Sequence, residues 1–91
     1  MKRRTRKKVI VYGAFWCPDT HATAKRLQRW DVSYVARPIE NLRTAADLKK
    51  LLAAEEFRIP VVIFPDGTRL IEPDAKTLRD KVKLLKKQGL L

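Results

Sequence analysis

Cysteine and histidine are scarce in this chain, which has one of each among 91 residues. A single cysteine cannot form a disulfide within the chain, and one cysteine with one histidine gives too few ligands for a tetrahedral metal site. We therefore expect no metal, no tightly bound cofactor and, with no export signal, a cytoplasmic location. No apolar run approaches the roughly 18 residues that a membrane helix needs, so we expect no membrane partner.

Acidic residues are also few, because 10 Asp and Glu stand against 21 Lys and Arg and leave a net charge of +11. The cations are concentrated in residues 2–8 and 76–87. Such charge can attract nucleic acid or acidic proteins, or it can simply keep a tail and a helix face solvated. No RNA-binding aromatic motif or zinc-finger spacing accompanies it, so specific nucleic-acid binding is not the function we expect.

Apolar patterning predicts one small domain over residues 8–91, preceded by a flexible basic arm over residues 1–7. β-Branched runs and a Pro-Asp-Gly turn predict strands at residues 8–12, 32–36, 60–64 and 68–71. Helical spacing predicts helices at residues 18–30, 45–54 and 75–87, with Thr44 and Asp74 as N-caps and Gly89 after the last helix. Strands separated by helices pair in parallel, whereas the closing hairpin is antiparallel. The order β-α-β-α-β-β-α thus predicts an α/β fold with a mixed four-stranded sheet flanked by three helices.

The only cysteine stands where the first predicted strand gives way to the first helix, in the stretch Tyr-Gly-Ala-Phe-Trp-Cys-Pro-Asp-Thr of residues 12–20. A thiol at a helix N-terminus meets free backbone N–H groups and the positive end of the helix dipole, which favour the thiolate. Pro18 suits the first helical position because it has no N–H. Cys17 could instead be a buried structural residue, but its place at this turn favours a reactive thiol.

Residues 15–20, Phe-Trp-Cys-Pro-Asp-Thr, resemble the active-site turn of the thioredoxin superfamily and are most similar to small glutaredoxin-like proteins of the mycoredoxin type. Those proteins usually have Trp-Cys-x-x-Cys, so Thr20 in place of the second cysteine makes this chain resemble a monothiol variant. The resemblance implies a thioredoxin-like fold in which Ile59-Pro60 forms a cis-proline turn facing Cys17. The backbone of Ile59 could then pair with an extended substrate.

Further residues are assigned to the same site. We expect Phe15 and Trp16 to offer apolar surface beside the sulfur, and Thr20 to hydrogen-bond it. Arg58 could offset the charge of Asp19. Asp74 is expected to cap the last helix. It could also present the free N–H groups of that helix to the carboxylate of a low-molecular-weight thiol substrate, or contact an amine. The candidate site therefore consists of Cys17 and Thr20 as catalytic residues and of Phe15, Trp16, Pro18, Arg58, Ile59, Pro60 and Asp74 as binding residues.

The resemblance implies a monomeric thiol–disulfide oxidoreductase that acts by a monothiol mechanism on mixed disulfides between proteins and a low-molecular-weight thiol. That thiol would be glutathione or mycothiol-like. Residues 70–74 lack the Gly-Gly pair of glutathione-using relatives, and Glu72-Pro73 after the hairpin looks more like the mycoredoxin type. Two alternatives remain open: an iron–sulfur carrier with Cys17 as ligand in a dimer, and a redox-silent module that binds through its basic surface.

Overall fold

The computed structural model describes residues 8–53 and 55–91, and its seven elements follow the predicted order. The strands are β1 (Val9–Gly13), β2 (Tyr34–Pro38), β3 (Val61–Ile63) and β4 (Arg69–Ile71). The helices are α1 (Pro18–Arg29), α2 (Leu42–Leu52) and α3 (Ala75–Lys87). The predicted basic arm, residues 1–7, lies outside the described residues. None of the described helices is long and apolar enough to cross a membrane.

The four strands form one mixed sheet in the order β2-β1-β3-β4. β1 pairs in parallel with β2, and Val9 lies opposite Tyr34. β1 and β3 are antiparallel, as are β3 and β4. The predicted α/β fold, with a mixed four-stranded sheet and three helices, is therefore confirmed.

Alternate residues of β1 supply two apolar clusters, one on each face of the sheet, as the two-residue period of a strand requires. Val9 and Val11 pack in the first cluster with side chains from both α1 and α3, among them Leu27 and Leu85. The second cluster contains Tyr12 and joins it to α2. Helices α1 and α3 thus share one face of the sheet, and α2 covers the other.

Helices α1 and α3 run in the same direction. Near their N-termini, Asp19 and Ala75 line the same surface depression. Near their C-termini, the Lys86 ammonium donates a 2.7 Å hydrogen bond to the carbonyl oxygen of Trp30. The N-termini of both helices therefore lie at the end of the sheet where β1 finishes.

Several predicted boundaries were wrong by one to three residues, and a local hydrogen bond explains two of the differences. The second strand begins at Tyr34 rather than at residue 32, because the N–H of Val32 donates to the carbonyl of Leu27 and completes the turn after α1 at 2.9 Å. The N-cap of α2 is Asn41 rather than Thr44, since the Asn41 side chain accepts the N–H of Thr44 at 3.1 Å. Asp74 does cap α3, by accepting the N–H of Thr77 at 2.7 Å.

Candidate thiol site

Cys17 is the N-cap residue of α1, and its side chain makes no capping hydrogen bond. Its backbone is extended, and its N–H donates to the carbonyl of Ala14 at 3.1 Å. Pro18 occupies the first turn of the helix, where a missing N–H costs nothing. The local sequence therefore places the sulfur at a helix N-terminus, where the backbone N–H groups of the first turn have no intrahelical partner.

Cys17 is covered, with only 8% of its surface exposed, although it belongs to neither of the two apolar clusters. The two residues before it are mostly exposed to solvent, Phe15 to 69% and Trp16 to 70%. Large aromatic side chains left in solvent next to a shielded thiol form an apolar contact surface.

Three contacts fix the loop between β1 and Cys17. The N–H of Phe15 donates to the Glu40 carboxylate at 2.8 Å, and the carbonyl oxygen of Phe15 contacts the Nε2 atom of His21. The N–H of Ala14 donates to the Thr20 hydroxyl at 3.3 Å. Glu40 and His21 were not among the predicted site residues. Glu40 lies 25 positions from Phe15, so no local pattern could have indicated its contact.

Thr20 supports the loop instead of the sulfur. Its hydroxyl accepts the Ala14 N–H, and the hydrogen bonds of the described residues include none between Thr20 and Cys17. Its side chain also lies so close to Gly13 that a Cβ atom there would clash with the Thr20 Cγ2 and Oγ1 atoms. Glycine at position 13 therefore lets the first turn of α1 pack directly against the end of β1.

Pro60 lies at the same end of the sheet as Cys17. The Ile59-Pro60 peptide bond is cis. The next residue, Val61, pairs with Tyr12 near the end of β1, four residues before the loop reaches Trp16. The strand register thus brings the proline turn and the cysteine loop to one edge of the sheet.

A depression of about 310 Å³ lies between this proline turn and the first turns of α1 and α3. Its lining includes Asp19, Thr23, Arg26, Pro60, Glu72 and Asp74. Thr23, Arg26 and Glu72 were missed by the sequence reasoning. The signal available for two of them was spacing, because residues 19, 23 and 26 lie on one face of a helix.

Asp74 caps α3 and also lines this depression. The Thr77 N–H, as the main cause, holds the pKa of the Asp74 carboxyl below its usual value, with smaller contributions from Lys76 and Arg26. The carboxylate is therefore charged at neutral pH, and one of its oxygens is engaged by the helix end. The depression thus contains three carboxylates and one guanidinium.

Arg58 lies beside the depression and is already engaged. Its guanidinium pairs with Glu56 and with Glu72, both at 3.2 Å, rather than with Asp19. Next to it, the backbone N–H and carbonyl of Ile59 form no hydrogen bond within residues 8–53 and 55–91. The two ion pairs of Arg58 therefore help to hold the segment before Pro60 in place. The backbone N–H and carbonyl of Ile59 remain free to bind a substrate.

No three His, Cys, Asp or Glu side chains come together as metal ligands in the described parts of the chain. At this edge of the sheet the structure brings together one thiol, a cis-proline turn and a polar depression beside them.

The sequence matches no protein-family model and no curated protein. The structure is similar to the crystal structure of a glutaredoxin from Archaeoglobus fulgidus, with 20% sequence identity and a TM-score of 0.70. The similarity covers 82% of this chain and 85% of that chain. Together with the sheet order β2-β1-β3-β4, it shows that the chain has the glutaredoxin-like fold of thioredoxin type that its sequence predicted.

Proposed function

We propose that the protein catalyses thiol–disulfide exchange at Cys17 by a monothiol mechanism, removing a low-molecular-weight thiol from oxidised proteins. The observation that carries the proposal is the placement of an uncapped thiol at the N-terminus of α1, on the same sheet edge as the cis Ile59-Pro60 turn. A fold similar to that of a glutaredoxin supports the same class of reaction.

The reaction needs one protein sulfur. The Cys17 thiolate attacks the small-thiol sulfur of a protein mixed disulfide, a new disulfide forms on Cys17, and the protein sulfur leaves with the electron pair and takes up a proton. A second small-thiol molecule, as thiolate, then attacks the small-thiol sulfur bound to Cys17. That step releases the oxidised small thiol as its disulfide and restores the Cys17 thiolate. Thr20 is compatible with this route because no second cysteine takes part.

Three features would hold the substrate. The free backbone groups of Ile59 can pair with an extended segment, as a strand adds to a sheet edge. The depression around Pro60 and Asp74 provides polar groups for the small thiol, whether glutathione or a mycothiol-like compound. Phe15 and Trp16 provide apolar contact for the protein part of the mixed disulfide.

The decisive experiment measures release of the small thiol from glutathionylated and mycothiolated model proteins by the wild-type chain and by Cys17→Ser. We expect the substitution to abolish release, because the nucleophile is lost. Thr20→Ser is the matched control, since it keeps the hydroxyl that accepts the Ala14 N–H, and it should retain most of the activity. Release by Cys17→Ser at the wild-type rate would refute the proposal.

The same experiment identifies the partner thiol. Intact mass after incubation with each oxidised small thiol should show an adduct on the wild-type chain and none on Cys17→Ser. The proposal places this exchange in the cytoplasm, where small thiols are kept reduced. Anaerobic purification of a brown dimer with cluster absorbance and no exchange activity would instead support the iron–sulfur alternative.

A further inference from the structure

The groove between helices α1 and α3 carries a concentration of positive charge. On α3, residues 75, 79, 83 and 86 follow at intervals of four, four and three and therefore share one flank. Ala75 and Lys86, at the two ends of that flank, both lie against α1 or the turn after it. On α1, Arg26 lines the depression beside Ala75, and Arg29 lies three residues further along. The groove is thus flanked by Arg26, Arg29, Arg79, Lys83 and Lys86, which we call the groove cations.

No groove cation forms a salt bridge within the described residues. At the end of the groove near the helix N-termini, Arg26 acts electrostatically on Asp74. The Lys86 ammonium donates its hydrogen bond to a carbonyl oxygen rather than to a carboxylate. Other residues of α3 form its ion pairs: Lys76 pairs with Asp80, and Lys81 pairs with Asp66 of the β3–β4 turn. Arg79 and Lys83 act through space on the Asp80 carboxylate. The five groove cations therefore interact with carboxylates only at a distance and form no ion pair among the described residues.

The opposite face of the sheet is organised differently. Two arginines there are paired, Arg37 with Asp47 at 3.3 Å and Arg69 with Glu55 at 2.6 Å. Helix α2 does carry three exposed cations without an ion pair, Arg43, Lys49 and Lys50, but Asp47 shares its surface. More of the unpaired positive charge therefore lies on the α1–α3 face than on the α2 face.

We infer that the groove between α1 and α3 binds the phosphate backbone of duplex nucleic acid without sequence preference. Lys and Arg side chains neutralise phosphates, and this contact needs no base recognition. Single strands are usually held by stacking on exposed aromatic rings, and the exposed aromatic residues of the described chain, Phe15, Trp16 and Phe57, belong to other segments. A membrane surface would require an apolar helix face, whereas this flank has one exposed leucine, Leu84, nearby.

The number of groove cations predicts how strongly salt should weaken the binding. Seven residues separate Arg79 from Lys86, which corresponds to about 10 Å along a helix. If all five groove cations neutralise phosphates, they contribute about −4.5 to the slope of log K against log salt concentration. Such a term alone weakens binding about 500-fold between 50 and 200 mM salt.

Fluorescence anisotropy with a 20-base-pair duplex of random sequence tests the inference on the full chain. The test variant is Arg79→Gln/Lys83→Gln, and the matched control is Lys49→Gln/Lys50→Gln, which removes the same charge from exposed positions on α2. We expect the test variant to lower the magnitude of the salt slope by about 1.8, from two lost phosphate contacts, and the control to keep the wild-type slope. Circular dichroism confirms that both variants are folded.

Several results would overturn the inference: no binding by the wild-type chain at 50 mM salt, or equal loss in both variants, which would reflect net charge alone. Tighter, groove-dependent binding to poly-glutamate would assign the groove to an acidic polypeptide. The same result with phosphatidylserine vesicles would assign it to a membrane. Because Cys17→Ser should bind the duplex as the wild type does, the outcome is independent of the thiol exchange proposed above.

Discussion

At the scale of single residues, position 20 shows how one side chain can be placed by its surroundings. Thr20 lies one helical turn after Cys17. Here its hydroxyl accepts the N–H of Ala14, and its methyl group packs on Gly13. The Thr20 side chain thus joins the end of β1 to the start of α1 and helps to hold the loop before Cys17 in place.

The contact between Gly13 and Thr20 predicts the effect of a single methyl group. Gly13→Ala places a Cβ atom against the Thr20 side chain, so we expect the free energy of unfolding to fall by about 1–3 kcal/mol. Urea denaturation measures the loss. In a Thr20→Ala background the same substitution should cost less, because two of the three closest atoms are absent. An equal cost in both backgrounds would contradict the contact.

At the scale of elements, the β3–β4 turn is tied to α3 by one carboxylate. Asp66 accepts hydrogen bonds from the Lys81 ammonium at 2.9 Å and from the Thr68 N–H at 3.0 Å. With Lys81 as the largest cause and Thr68 next, the pKa of Asp66 is lowered from 3.8 to about 2. The charged form is therefore favoured in the folded state, and the hairpin turn is held against the middle of the helix.

This tie predicts a dependence of stability on pH. Because the folded pKa of Asp66 lies below the unfolded value, its stabilising contribution is complete above pH 3.8 and is lost as the pH falls toward 2. Asp66→Asn should therefore have a lower free energy of unfolding than the wild type at pH 7, and the difference should shrink as the pH falls through about 2. Urea denaturation across this range measures it. Asp31→Asn, at an exposed turn position, serves as control, and a matching pH response from it would contradict the assignment.

The elements also show which features a sequence can predict. Helix α3 was predicted with its observed bounds because its signals are local: Asp74 before it and apolar residues at helical spacing within it. The start of α2 was not predicted correctly. Asn41 and Thr44 are both good N-cap residues and lie three positions apart, and only the hydrogen bond between them decides which one is the cap. The partners of Arg58 and Phe15 come from distant segments, so no local pattern indicates that Glu72 or Glu40 contacts them.

At the scale of the whole molecule, strand pairing explains why the candidate site could be anticipated in part. Cys17 and Pro60 are 43 positions apart, yet β1 and β3 must meet in this fold, and their register sets the two turns side by side. The resemblance of residues 15–20 to glutaredoxin-like proteins associated these two residues in advance, and the strand register agrees with it. The resemblance was not enough for the depression beside them, whose lining combines α1, α3 and the segment after β4.

Charge at the same scale predicts the oligomeric state. Each copy carries a net charge of +11, so association of two copies is opposed by repulsion, especially at low salt. We expect sedimentation equilibrium at micromolar concentration to give the mass of one chain, both reduced and after oxidation with a small thiol. Cys17→Ser is the control for dimers joined through the sulfur. A dimer that persists in that variant under reducing conditions would contradict the expectation.

The parallel arrangement of α1 and α3 has a geometric consequence. Cys17 lies at the N-terminal end of this helix pair, whereas Arg29, Lys83 and Lys86 lie two or more turns further along. A long polymer seated on the distal half of the groove would leave the sulfur uncovered. With the thiol exchange proposed above, the chain could then stay bound to one molecule while Cys17 reacts with the disulfide of a second molecule that diffuses to it.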